Sequence, residues 1–457
     1  MEVCPLPPLL RYPTVDELAA RAAALVARHP HHARLRRVGT SRAGTPMWLL
    51  SVGHGSRHAL IVAGPHANEP VGGATVLRLA ERALADPRHG EDADATWNLL
   101  LCLDPDGSRH NEGWLSGPYT LGHYFRHFFR PGFLEQPEWL PDGADGAALP
   151  ETRTLLDLQD ELRPFFQCSL HGVDVGGAFV ELTRDLPGLA DDVARTAARL
   201  GIPRELGPYD TLYWPRLGPA VYRIPPPRPG DLAAAITEAA VESTWYHPHD
   251  YGTVTAVVEA PMWGVTAVED ASPPADADAV LRVVSRTLRR DTRLLESILA
   301  RVRPRAGGDP DAARLLAPVD DYLLVGPGLA DSWDPDVHDG DTRSLPPLDI
   351  ARLTALALSA RRVALRTAGL LHQLVTHTGR DPADALPELD RLIDEWCADY
   401  RDGYRARWIP VVRQAEYQSR VVRTAFELAA GRHRPCADSR SSEPEWSSEA
   451  AVPLHRE

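Results

Sequence analysis

Two side chains of metal-binding type stand three positions apart in the segment IVAGPHANEPVGG, residues 61–73: His66 and Glu69. The apolar run before His66 predicts a strand, and the residues after Pro70 predict a helix. In an open α/β sheet, ligands bind at the carboxyl ends of strands, where these two side chains are expected. An imidazole nitrogen and a carboxylate oxygen suit a first-row metal, and the short offset lets both point at one centre.

A third residue of this type follows another apolar run. His171 lies at the end of the segment QCSLH, far along the chain from His66. A short-range pair plus one distant ligand is typical of a catalytic zinc site with an open position. For either histidine alone, a hydrogen bond in a loop is the commoner explanation, whereas three such residues at strand ends favour a metal. We predict one Zn²⁺ ion bound by His66, Glu69 and His171.

Glu259 lies at the end of a third apolar run, in VTAVVEAPMW. An unpaired carboxylate buried at such a position is energetically costly. Beside a metal, a carboxylate can take a proton from water and deliver it to a leaving amine, which is the general acid–base chemistry of amide hydrolysis. The alternative is a structural carboxylate paired with one of the many arginines. The apolar run and its carboxylate alone favour neither role.

The elements that must position these residues are indicated by continuous apolar runs with polar residues at their ends. Such runs are typical of strands covered on both faces, as in a parallel sheet between helices. The sequence therefore predicts an α/β fold: a three-layer α/β/α sandwich with a mixed, mainly parallel sheet. Long irregular stretches, such as YFRHFFRPGF (residues 124–133) and the segment from there to about Pro150, predict loops that build a site.

The composition changes along the chain and indicates four segments. We predict a catalytic domain over residues 1–300 and, around VRPRAGGDPDAAR, a linker or irregular segment over 301–345. Long amphipathic patterns predict a helical domain over 346–431. The polar, Ser- and Glu-rich end predicts a disordered tail over 432–457.

The overall composition excludes several classes of function. The 457 residues carry a net charge of −14, which argues against nucleic acid or an anionic membrane as a partner. The five cysteines form no Cys-x-x-Cys pair and favour free thiols in a reducing compartment. With no secretory signal and no apolar run near the roughly 20 residues that span a bilayer, we expect a cytoplasmic protein. The oligomeric state stays open.

Taken together, HANE, LHG and VVEAP resemble the motifs of the zinc carboxypeptidases of the carboxypeptidase A type. The segments VGTSRAGTPMWLLSVG and YGTVTAVVEAP are similar to that family as well, so the resemblance covers about residues 11–300. It implies that His66, Glu69 and His171 bind zinc. It also implies that Glu259 promotes attack of water on the scissile carbonyl.

The family also uses an arginine to polarise that carbonyl and an Asn-Arg pair to hold the terminal carboxylate of the substrate. Here the nearest elements, in LDPDGSRHNEGW, are Arg109 and Asn111, in reversed order. An arginine can bind a carboxylate through two parallel hydrogen bonds, so we predict that Arg109 and Asn111 bind substrate. The alternative is a Pro-Asp-Gly turn with a solvated arginine.

The function implied is that of a zinc-dependent metallocarboxypeptidase-like hydrolase, which cleaves a C-terminal peptide or peptide-like amide bond. The alternative within enzymes is a zinc-dependent deacylase of an N-acyl amino acid, of the desuccinylase or aspartoacylase type. The expected partner is thus a peptide or an acylated amino acid, with neither nucleic acid nor membrane. A third hypothesis, a binding module without metal, predicts loss of one of the four key residues, and all four are present.

Overall fold

A mixed sheet of ten strands runs through the computed structural model, which describes residues 10–85, 94–140, 148–226, 243–303, 309–337, 345–379 and 384–431. The strands are β1 (Ala33–Thr40), β2 (Pro46–Val52), β3 (Arg57–Ala63), β4 (Ala95–Leu100), β5 (Phe166–Gly176), β6 (Phe179–Leu182), β7 (Arg216–Gly218), β8 (Val221–Arg223), β9 (Val254–Gly264) and β10 (Arg407–Trp408).

The helices of the described residues alternate with these strands at first and then follow one another. They are α1 (Val15–Arg28), α2 (Val71–Ala85), α3 (Pro105–His110), α4 (Leu121–His127), α5 (Pro150–Leu162), α6 (Leu189–Leu200), α7 (Ala277–Val302), α8 (Pro310–Trp333), α9 (Ile350–Thr378), α10 (Ala385–Ala398) and α11 (Val411–Ala429). None of them is long and apolar enough to cross a membrane.

The strand order is β1-β2-β4-β3-β5-β9-β6-β8-β7, with β10 paired to β9. The central strands β4, β3, β5 and β9 pair in parallel, and antiparallel pairings lie on both sides of them. The predicted mixed sheet is confirmed. The short strands β6, β7 and β8, which lie beyond β9 in the strand order, are not indicated by the apolar runs. Three or four residues are too few to show a periodicity.

Helices cover both faces of the sheet, as the alternation along β3 shows. Ile61 and Ala63 point into a core shared with α1, α2, α6 and α11, whereas Leu60 and Val62 pack with α5. The α/β/α layering follows from this alternation, since neighbouring side chains of a strand point to opposite faces. α11 therefore supports the sheet, although it comes from the C-terminal helical region.

The helices α7 to α10 form a second core that meets the carboxyl ends of β5 and β9 through Val175 and Met262. The predicted irregular segment 301–345 is wrong over Pro310–Trp333, which forms α8. Asp309 caps this helix, and Pro310 occupies its first turn, where a missing N–H is harmless. The composition around VRPRAGGDPDAAR, which favoured an irregular segment, describes only the start of this stretch, and burial of one helix face stabilises the rest. The predicted tail, 432–457, lies outside the described residues.

Candidate active site

The end of β3 creates the space in which the first two predicted ligands lie. Its last residue pairs with Leu170 of β5, and the chain then leaves the sheet while β5 and β9 continue. Gly64 makes the turn with φ of +59°, and a side chain there would meet the Cys102 thiol. His66 and Glu69 lie in this loop. His171 was predicted to end its strand, but it lies inside β5, one position beyond the last residue of β5 that pairs with β3.

The three predicted ligands converge, and all three are buried. Oε2 of Glu69 lies 3.1 Å from Nδ1 of His66 and 3.4 Å from Nδ1 of His171. One ligand atom from each residue lies within 4.8 Å of the others. The same Glu69 oxygen accepts a hydrogen bond from the Gly172 amide at 3.1 Å, which fixes the carboxylate against β5. Two imidazoles and one carboxylate in this arrangement fit a zinc ion.

The second nitrogen of His171 is held by a residue that the sequence analysis did not identify. Nε2 lies 2.9 Å from Oε2 of Glu138 and 3.0 Å from the Ser169 hydroxyl, which in turn donates to Oε1 of Glu138 at 2.6 Å. A carboxylate on the outer nitrogen of a histidine orients the ring and leaves its other nitrogen for a metal. Glu138 lies in the long irregular stretch, from residue 124 to about Pro150, that was expected to build a site.

The same loop supplies an arginine beside the ligands. Nη1 of Arg130 donates to Oε1 of Glu69 at 3.0 Å, and its Nε and Nη2 donate to the side-chain oxygen of Gln136. The guanidinium is thereby fixed next to the candidate metal position. Nothing in the spacing of the sequence distinguishes Arg130 from the other arginines of this loop.

Glu259 faces the same centre from the neighbouring strand. It is directly opposite His171 in the pairing of β9 with β5, and its Oε1 lies 3.8 Å from Nδ1 of His171. Its other oxygen is buried without a hydrogen-bond partner among the described residues. The structure thus places Glu259 with the three ligands, inside β9 rather than at its end.

Burial and neighbouring charges shift the pKa values of the cluster in both directions. Burial raises the pKa of Glu259 well above its usual value. Burial lowers the pKa of His66 to about 4. For His171, burial lowers the pKa, but the carboxylates of Glu138, Glu69 and Glu259 outweigh it and hold the pKa well above its usual value. A divalent ion bound here would favour the carboxylate form of Glu259 and the neutral form of His171.

These residues line a cavity of about 210 Å³. Trp139, Trp214 and Trp245 give it aromatic walls. Glu181 also lines it; on β6 this residue is opposite Val257 and so shares a sheet face with Glu259. The cavity therefore combines the candidate metal centre with apolar surface and further charged groups, as ligand sites commonly do.

The predicted substrate-binding residues are not in this cavity, and that prediction is corrected. Arg109 lies on α3 and pairs with the exposed Asp16 at 2.6 Å. Asn111 is buried, donates to the Phe129 carbonyl at 2.7 Å, and accepts from the Phe129 amide and the Trp114 indole. Arg109 is held at the surface by Asp16. The side-chain amide of Asn111 makes its hydrogen bonds within the protein interior.

One segment of the chain matches a known protein family. Residues 18–117 match the model of the zinc carboxypeptidase peptidase family. No curated protein matches the chain. The chain is similar to the solved structure of carboxypeptidase A from Helicoverpa armigera, at 16% identity over 55% of this chain and 65% of that one, with a TM-score of 0.37.

Two further solved structures have similar scores. A metallo-carboxypeptidase from Burkholderia cenocepacia is 15% identical over 55% of this chain and 60% of that one, with a TM-score of 0.35. Murein-tripeptide amidase MpaA from Escherichia coli O157 is 16% identical over 50% and 82%, with a TM-score of 0.26. The chain thus spans less than two thirds of the two carboxypeptidases. The segment 18–117, which contains two of the three metal-ligand candidates, matches the zinc carboxypeptidase family.

Proposed function

We propose that the protein is a zinc-dependent hydrolase that cleaves a C-terminal peptide or peptide-like amide bond, with a single ion held by His66, Glu69 and His171. The family match implies a hydrolase. One observation carries the proposal: three ligand atoms lie within 4.8 Å of one another in the wall of a cavity that Glu259 also lines.

The roles of the side chains follow from their positions. A zinc ion supplies Lewis acidity toward a carbonyl and lowers the pKa of water. Glu259, beside the ligands with a free oxygen, takes a proton from the attacking water and delivers it to the leaving amine. Arg130, fixed by Gln136, places a positive charge where the carbonyl oxygen gains negative charge. Glu138 keeps the His171 ring oriented.

The residues that line the cavity do not separate the deacylase alternative from the carboxypeptidase. Neither Arg109 nor Asn111 lines the cavity, so the carboxylate clamp expected of a C-terminal exopeptidase is not where the sequence placed it. A deacylase that accepts a small N-acyl amino acid would use the same metal ligands and the same Glu259. The two activities differ in the substrate, and a panel of substrates separates them.

The test combines metal analysis with that panel. Zinc content is measured in the wild type, in His66→Ala and in the control His110→Ala, which removes an exposed histidine outside the cavity. Near-stoichiometric zinc in the wild type and the control, lost in His66→Ala, is expected. Cleavage of blocked dipeptides with a free carboxylate supports the carboxypeptidase, and cleavage of N-acyl amino acids alone supports the deacylase. A wild-type protein without zinc would overturn both.

We also propose a cytoplasmic location. Its support is the state of the described cysteines: Cys102, Cys168 and Cys397 are buried and unpaired. Burial raises the pKa of the Cys102 thiol to about 12, so that it is protonated and inert at neutral pH. Fractionation of the native host's cells, followed by detection of the protein, tests the location.

A further inference from the structure

The cavity has a second wall, which comes from the helices beyond the predicted catalytic domain. Tyr322 and Val325 of α8 line it, together with Ser359, Arg362 and Arg366 of α9. Arg362 and Arg366 are four residues apart and therefore lie on the same face of α9. This helix crosses the carboxyl end of β5, where Arg362 donates to the Val175 carbonyl at 3.0 Å.

The two arginines differ in how their charges are balanced. Nε of Arg366 donates to Oδ2 of Asp174 at 2.8 Å, and its guanidinium lies over the Phe128 ring. Arg362 has no carboxylate within 4.0 Å among the described residues, and its one hydrogen bond goes to a backbone carbonyl. Its Nε is buried without an acceptor. Arg366 is thus held by an ion pair, whereas Arg362 has no ion pair among the described residues and keeps a buried N–H without an acceptor.

Burial lowers the pKa of Arg362, but nearby acidic groups, Asp174 first, outweigh this and raise it, although none of them forms an ion pair with Arg362 among the described residues. Asp174 is already bound by Arg366, the Tyr124 hydroxyl and the Asn68 amide. Glu205 accepts from the Gly177 amide, and burial raises the pKa of this carboxyl to about 7. Asp210 lines the cavity but makes no ion pair with Arg362 among the described residues. A guanidinium with free donors in a cavity wall is a site for a planar anion.

We propose that Arg362 determines specificity by binding a carboxylate of the substrate, so that α9 completes the substrate site that the strands begin. The inference rests on the proposed function, because the cavity is taken to hold the scissile amide. It gives the helical region a role in recognition that the catalytic residues do not provide. The carboxylate is either the C-terminus of the substrate or an acidic side chain.

Three acetylated dipeptides separate these sources: acetyl-Phe-Ala with a free carboxylate, its C-terminal amide, and acetyl-Phe-Glu amide, whose only carboxylate is in the side chain. Each is assayed with the wild type, Arg362→Gln, Arg362→Lys and the control Arg293→Gln. Arg293 is an exposed arginine of α7 outside the cavity, so its substitution makes the same charge change elsewhere.

In Arg362→Gln, KM for one of the two carboxylate substrates is expected to rise about 10- to 100-fold, the size of a charge-assisted hydrogen bond. KM for the acetyl-Phe-Ala amide, which has no carboxylate, is expected to be the same in Arg362→Gln and in the wild type. The Arg293→Gln protein is expected to have wild-type KM values for all three compounds. Arg362→Lys restores the charge without the planar fork and should recover part of the loss. If the wild type does not discriminate carboxylate from amide, or if Arg362→Gln discriminates as the wild type does, the proposal is wrong.

A binding measurement keeps this result apart from a failure of the proposed function. The same three compounds are titrated calorimetrically into Glu259→Gln protein with and without the Arg362→Gln substitution. If the zinc-loaded wild type cleaves none of the three compounds, that result speaks against the proposed reaction. Carboxylate binding that is about 10- to 100-fold weaker without Arg362 supports the subsite even then. Equal binding to both proteins overturns it. Thermal unfolding by circular dichroism confirms that the variants are folded.

Discussion

The two walls of the cavity are built in opposite ways. The strand wall brings His66, Glu69, His171 and Glu259 together, so that each charge has a neighbour of the other sign or a metal to bind. The helical wall carries Arg362, which forms no ion pair within the described residues. The first wall is organised for a reaction centre, and the second is organised to receive an anion. Under the proposed function, the strand wall sets the chemistry and the helical wall sets the choice of substrate.

The sharpest test of the strand wall is Glu259→Gln, for which we expect the largest effect. The amide keeps the shape of the side chain but cannot accept a proton from water, so kcat should fall by about 10² to 10⁴. Zinc content should stay at the wild-type level, since the three ligands are unchanged. Steady-state kinetics and elemental analysis on the same preparation check this. A variant that retains zinc and full kcat would remove Glu259 from the reaction.

The strand wall could be predicted because its signals are local. His66 and Glu69 stand three positions apart in one loop, and His171 and Glu259 each lie in an apolar run that is recognisable by itself. The register between β5 and β9 then places His171 opposite Glu259. Only the strand ends were misplaced, because β5 and β9 continue past β3 to meet the helices. A single sequence does not show where a neighbouring strand stops.

The helical wall could not be predicted in this way. Arg362 and Arg366 occupy an amphipathic pattern that is common to many helices, and their position at the cavity results from packing between distant parts of the chain. The same is true of Arg130 and Glu138, whose loop was expected to build a site but whose individual roles depend on contacts with β3 and β5.

The next effect concerns the ion pair that joins the two walls. Asp174→Asn leaves the buried Arg366 without its carboxylate, and a broken buried pair destabilises a protein by about 3 to 5 kcal/mol. Denaturant unfolding should show this loss. The matched control is Asp16→Asn, which breaks the exposed pair with Arg109 and should change the free energy of unfolding by at most about 1 kcal/mol. Equal effects would mean that the Asp174–Arg366 pair does not hold α9 against the sheet.

A smaller effect, which depends on pH, is expected at Glu181 in the strand wall. Burial raises the pKa of this carboxyl from 4.5 to about 8. A folded-state pKa above the unfolded value means that the contribution to stability is present below pH 4.5 and is lost as the pH rises toward 8. Glu181→Gln removes this loss, so the variant should gain about 2 to 3 kcal/mol over the wild type between pH 5 and pH 8.

The measurement is thermal unfolding at both pH values on protein freed of zinc by chelation, because a nearby cation would favour the carboxylate form of Glu181. The control is Gln159→Glu, which places a carboxyl at a buried glutamine that hydrogen-bonds to Gln167. This variant should lose stability with rising pH, as the wild type does at Glu181. A difference between Glu181→Gln and wild type that is independent of pH would show that the Glu181 carboxyl ionises freely in the folded protein.

The smallest effect is expected at Arg109, and it sharpens the comparison by contrast with Arg362. Each arginine is a candidate for binding a substrate carboxylate, Arg109 from the sequence and Arg362 from the structure. Arg109 is engaged by Asp16 at the surface, whereas Arg362 faces the cavity. Arg109→Gln should leave KM unchanged for dipeptides with a free carboxylate and for their amides. Its free energy of unfolding should change by at most about 1 kcal/mol. A rise in KM confined to the carboxylate substrates would restore Arg109 as the clamp and would place the anion site on the strand side of the molecule.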